Sequence, residues 1–214
     1  MFDKLFFARA SMVAVGCAAA AVTIIGPAQA DGGSTTVSPA GAAVTATNQG
    51  PVTATVGIVT ASCDNVTATG SVPAAPNNQN SNGPVSVSIG SPAVSGCSGS
   101  IPGTTATAST SGNWAVSVQN GSSIAGNLMI PQGGLTITTS GLANCVAVVA
   151  PDGPVSVTGT FTNGSPSTVS ASNVTVPVSI TGGGLCPTNT TATVSAVFAL
   201  TNATDPTQPI TVGP

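Results

Sequence analysis

The chain has 214 residues, of which 3% are charged and 41% hydrophobic, and its formal net charge is −3. It contains no His, Glu or Tyr, and its only cationic side chains are Lys4 and Arg9. Phosphate binding depends on Lys and Arg, and acid-base catalysis depends mostly on residues that are missing here. The composition therefore argues against a nucleic-acid partner and predicts that the protein is not an enzyme.

Residues 1–30 are predicted to form a secretory signal peptide. A positive start, an apolar stretch over residues 10–25 and an A-x-A cleavage site at residues 28–30 follow one another in the usual order. An alternative is lipidation at Cys17, whose surroundings are similar to a bacterial lipoprotein box. No later run reaches the roughly 20 apolar residues of a membrane-spanning helix. We therefore expect a secreted or cell-surface protein without a transmembrane segment in its mature chain, and the Ala-rich signal is typical of bacteria.

Residues 31–50 are predicted to be a flexible leader or an extra strand. Ala42, Val44 and Ala46 alternate with other small or polar residues. This pattern fits a linker, the first strand of the sheet, or a free strand that pairs elsewhere. Residues 51–214 are predicted to form the main folded domain.

The main domain alternates apolar and polar residues with a period of two, which is typical of half-buried strands. Val, Ile and Thr dominate these runs, and branched side chains favour strands. The predicted strands span residues 52–60, 84–89, 114–118, 135–139, 155–161, 168–180 with a bend or break at Pro177, 191–201 and 210–212.

Turn residues punctuate the predicted strands. Asn120-Gly121, Asp152-Gly153 and Asn163-Gly164 each lie between two of them, and such pairs accept the positive φ of tight hairpin turns. No helical period is visible after the signal. Many short strands at regular spacing predict an all-β fold, an antiparallel β-sandwich, with Greek-key or immunoglobulin-like topology among the options.

Four cysteines remain beyond Cys17, and an even number in an exported chain indicates two disulfide bonds. Of the three possible pairings, Cys63–Cys97 with Cys145–Cys186 closes the shortest loops and is favoured. Zinc or redox chemistry is a weaker alternative, because the chain has no C-x-x-C motif and no His.

No catalytic, cofactor-binding or metal-binding residue is predicted. Ser and Thr are abundant, but a nucleophile needs a base, and no His is present to serve as one. The acids of the mature chain, Asp31, Asp64, Asp152 and Asp205, are isolated along the sequence. A carboxylate pair could therefore arise only by folding.

Trp114, the only tryptophan, is the single candidate ligand contact. An exposed Trp ring can stack on a sugar or a lipid, but a lone Trp in an alternating strand is more often a core residue, and we favour the core. Thr-Ala-Thr triplets also recur in the chain, but their irregular spacing predicts no regular array of hydroxyl groups.

Sheet edges are usually protected from edge-to-edge pairing by Lys, other charges or bulges. The mature chain has no Lys and very few charges, so prolines are its main remaining means of protection. Uncharged Thr, Val and Ser strands would tolerate lateral association or strand addition.

The chain resembles a family of bacterial secreted proteins described as protein activator of alkane oxidation. The resemblance lies in Cys63, Cys97, the Trp114 strand that follows them and the Cys186 segment running to Phe198. The resemblance covers about residues 52–212. The family often shows Leu-Pro-Trp, whereas this chain has Gly112-Asn113-Trp114. The resemblance implies an exported, non-enzymatic surface or biofilm-associated protein, linked to hydrophobic carbon sources.

Two functional hypotheses follow. The first is a secreted surface or extracellular-matrix protein that associates with itself, or with other surface components, through neutral sheet edges. The alternative is an extracellular binding module for an apolar ligand, such as a hydrocarbon or lipid, or for a carbohydrate, held between the sheets or at Trp114. A pocket lined by Val, Ile, Leu and Phe would favour the alternative, and a filled core would oppose it.

Overall fold

The computed structural model describes residues 33–214, so the predicted signal peptide and Asp31 lie outside the described residues. The prediction of an all-β, antiparallel, disulfide-stapled fold is confirmed, with facing sheets around an apolar interior. No helix within residues 33–214 is long and apolar enough to span a membrane.

Seventeen strands make up the fold of residues 33–214. In chain order they are β1 Thr35–Ser38, β2 Ala43–Asn48, β3 Val52–Val56, β4 Val59–Ser71, β5 Gln79–Asn80, β6 Val85–Ile89, β7 Ala93–Gly99, β8 Thr104–Thr110 and β9 Trp114–Gln119. The chain continues with β10 Ile124–Ile130, β11 Leu135–Gly141, β12 Cys145–Val149, β13 Val155–Val157, β14 Thr160–Thr162, β15 Ser167–Gly182, β16 Thr191–Asn202 and β17 Thr211–Gly213.

The pairings of the large sheet return on themselves. One closed circuit runs through β2, β4, β6, β9, β10, β14, β15 and β16, and β16 pairs again with β2. A second circuit runs through β3, β4, β7, β8, β11, β12, β15 and β16. It is joined by backbone hydrogen bonds at every step except between β7 and β8, which lie side by side.

The long strands β4, β15 and β16 belong to both circuits, so they connect two halves that each enclose part of the core. A separate three-stranded sheet, in the order β17–β1–β5, covers the first half. Its inward side chains Val37 and Val212 are buried in the first half's hydrophobic cluster together with Phe161.

Residues 31–50 were predicted to be either a flexible leader or an extra strand, and their described part contains strands. β1 belongs to the three-stranded sheet, and β2 pairs with both β16 and β4. The alternation around Val44 thus corresponds to a strand with a partner on each side.

Two predicted strands are each divided in the structure by a break within an apolar pattern, and β5, β7, β8, β10 and β12 fall outside every predicted strand. Residues 52–60 form two strands, because Gly57 has φ +58° and Gly57-Ile58 makes a two-residue turn in which Val56 pairs with Val59. Glycine at the first turn position has no Cβ to oppose this φ. Residues 155–161 also divide, into β13 and β14, which both pair with β10.

The predicted bend at Pro177 is wrong, because β15 continues through it and Pro177 pairs with Thr191. The irregularity lies instead between Ala171 and Val174, where Asn173 takes a left-handed φ of 53°. Asn adopts this conformation more readily than most residues, and the extra residues form a bulge that bends the strand.

The three predicted turn pairs do lie between strands, but none of their glycines has positive φ. Gly121, Gly153 and Gly164 are therefore not the hairpin glycines that the sequence predicted. Polar side chains bond these loops instead. Asn120 Nδ2, for example, donates to Ser34 O at 3.1 Å.

Both predicted disulfide bonds are present. Cys63 and Cys97 are directly opposite one another on β4 and β7, with Cα atoms 4.0 Å apart. Cys145, at the start of β12, bonds Cys186 in the loop between β15 and β16. Each bridge thus joins segments that are distant in sequence.

Asparagine amides bind exposed backbone groups where charged side chains are scarce. Asn163 Oδ1 accepts from Val212 N–H at 2.8 Å, and Asn163 Nδ2 donates to Val212 O at 2.8 Å, so its amide occupies the free edge of β17. Asn48 acts similarly at the junction where β4 changes partner from β2 to β3. Such amides satisfy donors and acceptors that would otherwise be open to a further strand.

Replacing Asn48 by Ala is expected to lower the free energy of unfolding by about 2 kcal/mol. The amide accepts from Val66 N–H at 2.8 Å and donates to Asp64 O and Gly50 O at 2.7 Å. Val66 is buried, so its N–H would lose its hydrogen-bond partner in a partly buried environment. Urea unfolding would measure the change. The exposed neighbour Gln49, whose side chain makes only a 3.5 Å contact with Asn48 O, provides the matched Gln49→Ala control.

Candidate ligand cavity

The interior of the fold contains two apolar cavities. The smaller has a volume of about 110 Å³ and lies in the first half, among side chains of β2, β4, β6, β9, β16 and the three-stranded sheet. The larger has a volume of about 230 Å³ and lies in the second half, among β3, β4, β7, β8, β11, β12, β15 and β16. Val66, Pro92, Leu128, Val169 and Phe198 line both cavities, so the two adjoin.

The side chains around the larger cavity point inward without filling the space. Val56, Leu128 and Ile137 all line it, yet they remain half-buried rather than buried. Many positions facing the larger cavity are Ala or Val, which are too short to meet across the circuit. The space therefore coincides with many small residues in the lining.

The lining offers a ligand almost no hydrogen-bonding group. The smaller cavity is lined only by aliphatic residues, Phe, Gly and Pro. The larger cavity has two hydroxyl side chains, and both are already bonded to the backbone. Thr110 Oγ1 donates to Pro92 O, while Thr139 Oγ1 donates to Ala143 O at 2.9 Å and accepts from Cys145 N–H. A sugar or a charged group would leave its own polar atoms unpaired there, so the cavity suits an apolar molecule.

Trp114 is a core residue that also borders the larger cavity. Its side chain is 4% exposed and belongs to the second half's hydrophobic cluster with Ile130 and Val176. Trp114 Nε1–H donates to Ser111 O at 2.9 Å, which satisfies its one polar group within the chain. The ring is therefore absent from the outer surface, and any ligand contact it makes is from inside.

The acids within residues 33–214 lie on separate segments. Asp64 is exposed on β4, Asp152 is exposed in the loop after β12, and Asp205 lies in the loop after β16. No group of three or more His, Cys, Asp or Glu that could hold a metal ion occurs in this part of the chain. Hydrogen bonds from the Thr207 hydroxyl and the Thr207 N–H lower the pKa of Asp205 below its ordinary value. Its carboxylate thus stabilises the loop as an acceptor.

Strand register aligns hydroxyl side chains that are irregularly spaced in sequence. On β8 and β11, Thr105, Thr107 and Ser109 are opposite Ser140, Thr138 and Thr136. This alignment comes from the pairing of two strands and not from the spacing of the Thr-Ala-Thr triplets along the sequence. Thr105 Oγ1 and Ser140 Oγ are 2.8 Å apart, so these hydroxyls bond each other rather than awaiting a ligand.

Sequence reasoning offered Trp114 and an interior apolar pocket as an alternative, but it did not identify the residues that line the larger cavity. The sequence carries only a weak signal for the cavity, because lining residues such as Ala54, Ala61 and Ala147 look like ordinary small strand residues. Comparisons of the chain with protein-family models, curated proteins and solved structures found no match.

Proposed function

We propose that the protein is a secreted, non-enzymatic binding module that holds an apolar ligand in its larger interior cavity. The observation that carries this proposal is the 230 Å³ space lined by Val, Ala, Ile, Leu, Phe and Trp114. An engineered apolar cavity of about 150 Å³ stays dry and binds benzene, so a space of this size and polarity can take a small apolar molecule.

The lining also narrows the class of ligand. With both lining hydroxyls bonded internally, recognition can come only from burial of apolar surface and van der Waals contact. A hydrocarbon chain meets this condition, and a carbohydrate does not. The resemblance to the alkane-oxidation activator family points the same way and stays a prediction.

Titration of the oxidised protein with fatty alcohols of increasing chain length tests the proposal. Because Trp114 is the only tryptophan and borders the cavity, its fluorescence reports directly on occupancy. We expect a saturable change in emission, with one ligand per chain by native mass spectrometry. Maltose and larger glucose oligomers are the control and should leave the emission unchanged. Unaltered emission up to the solubility limit of every alcohol would rule the proposal out.

Self-association into a surface or matrix layer is the second candidate. It is supported by β7 and β8, which have no hydrogen bond between them and no charged residue in either strand. If β7 and β8 move apart, their edges could accept a strand from another copy. Light scattering over a concentration series measures this. Stable oligomers or ordered polymers support the candidate, and a monomer at every concentration refutes it.

A further inference from the structure

Four loops meet beyond the strands that surround the larger cavity. They are the β3–β4 turn at residues 57–58, the β7–β8 turn at 100–103, the β11–β12 loop at 142–144 and the β15–β16 loop at 183–190. Backbone hydrogen bonds of 2.8–3.3 Å hold this end together, from Ser100 N–H to Thr60 O, Leu142 N–H to Gly103 O and Gly183 N–H to Asn144 O. The Cys145–Cys186 bridge anchors the longest loop.

Three of these loops each expose one large aliphatic side chain. Ile58 is 98% exposed, Leu142 69% and Leu185 63%, and we call these three residues the apolar rim. They are the most exposed large hydrophobic side chains of residues 33–214. Exposed apolar groups clustered at one end of a fold mark a contact surface more often than single scattered ones do.

The loops at this end also contribute side chains to the cavity lining. Ile101 and Pro187, which belong to two of the same loops, are half-buried and line the larger cavity. Ile180, at the end of β15 next to the longest loop, lines it as well. The end of the fold that carries the apolar rim is thus also an apolar end of the larger cavity.

We propose that the apolar rim inserts into the surface of an uncharged or zwitterionic lipid layer, from which an apolar molecule reaches the cavity. This inference rests on the proposed function and specifies where the ligand comes from. Insertion would transfer the three side chains from water into the acyl region. Ile101, Pro187 and the cavity lining would then continue that apolar environment into the protein.

Charge decides which lipid surface fits. None of the four loops contains a charged residue, and residues 33–214 have no Lys, Arg or His. Binding to anionic lipid is strengthened by roughly 1 kcal/mol for each basic residue near the surface, and this chain has none to contribute there. The absence of charge also removes the desolvation cost of bringing the loops into the interface.

A fluid layer also fits the rim better than a protein partner does. The three side chains stand on three different loops, and Ile58 is almost wholly free of neighbours. A stable protein interface needs about 800 Å² of complementary surface on each partner. Separate aliphatic tips can instead be buried one by one in disordered acyl chains, as at other interfacial contacts.

Flotation of the oxidised protein with phosphatidylcholine vesicles tests this inference. We expect the protein to float with the vesicles, and Ile58→Ser to weaken its partitioning by about tenfold, since burial of one such side chain contributes at least 1.5 kcal/mol. The triple variant Ile58→Ser, Leu142→Ser and Leu185→Ser should lose at least about a hundredfold. Val197→Ser is the matched control, because Val197 is an exposed aliphatic residue on β16, outside the rim.

The results separate this inference from the proposed function. If the triple variant still binds soluble fatty alcohols by Trp114 fluorescence but no longer floats, both stand. If wild-type protein does not float, or if the triple variant floats equally well, the proposal of membrane insertion is wrong. Either result leaves the proposed ligand binding in the cavity standing. Stronger vesicle binding after addition of anionic phosphatidylglycerol would also contradict the proposal of membrane insertion, because the rim has no cationic side chain to pair with the added charge. So would a rim-dependent dimer in light scattering, since the occupant would then be a second copy.

Discussion

Replacing Cys63 and Cys97 together by Ser is expected to lower the free energy of unfolding by about 4 kcal/mol. The bridge spans 34 residues, and without it the unfolded chain gains the corresponding loop-closure entropy. For a chain of this size, each 1 kcal/mol corresponds to roughly 2–4 °C in Tm, so the melting temperature should fall by roughly 8–16 °C. Since folded domains have stabilities of about 5–15 kcal/mol, this is one of the largest changes a two-residue substitution can cause.

The position of this bridge adds a local consequence. β7 has hydrogen bonds only to β4, and Cys63–Cys97 is the covalent connection between them. Without it, amide hydrogen exchange should become faster in β7 than in β15, which has partners on both sides. Removal of Cys145–Cys186, which spans 41 residues, should cost a similar free energy, but faster exchange should then appear around Cys186.

Urea unfolding of both double variants provides the measurement. We expect a lower midpoint and a steeper dependence on urea, because an unfolded chain without the cross-link exposes more surface. Wild-type protein kept reduced is the control, and its midpoint should lie below that of either double variant because it lacks both bridges. A midpoint unchanged by the Cys63→Ser, Cys97→Ser substitution would mean that these two residues are not bonded in solution.

The disulfide pairs and part of the strands could be predicted, because both depend on local or simple long-range rules, but β5, β7, β8, β10 and β12 lie outside every predicted strand. Alternation marked β6 and β9 correctly, and loop length selected the two bridges. Breaks were harder. Gly57 lies inside a predicted strand, and the pairing of Val56 with Val59 shows that the chain reverses there. Conversely, Pro177 suggested a break that the flanking strands override.

The closed circuits and the cavity depend on the register between distant strands, which alternation does not contain. In the sequence, β2 looks like an optional leader strand. In the structure it lies between β16 and β4, pairs with both, and so closes the first circuit. The apolar rim left a readable signal, since Ile58, Leu142 and Leu185 each directly follow a glycine in a loop. That signal acquires meaning only when folding brings the three loops to one end.

Replacing Ala147 by Leu is expected to raise the free energy of unfolding by about 2 kcal/mol while weakening ligand binding at least tenfold. Ala147 is half-buried between Ile137 and Ile180, and all three line the larger cavity. In a well-packed core, added methylene groups cost about 1–3 kcal/mol because neighbours must move. In open apolar space the same groups gain about 0.8 kcal/mol each, and they occupy the volume the ligand needs.

Ala42→Leu is the matched control, because Ala42 is 4% exposed, packs in the first half's cluster and lines neither cavity. Its free energy of unfolding should fall by about 1–3 kcal/mol. Urea unfolding of delipidated protein and fatty-alcohol titration should be run on both variants. If Ala147→Leu destabilises as much as the control, the space is not open in solution. If it stabilises the fold and binding persists undiminished, the ligand lies elsewhere. The proposed function of the small residues in the second circuit is supported only if two results occur together. Ala147→Leu must raise the free energy of unfolding while Ala42→Leu lowers it, and Ala147→Leu must lose ligand binding.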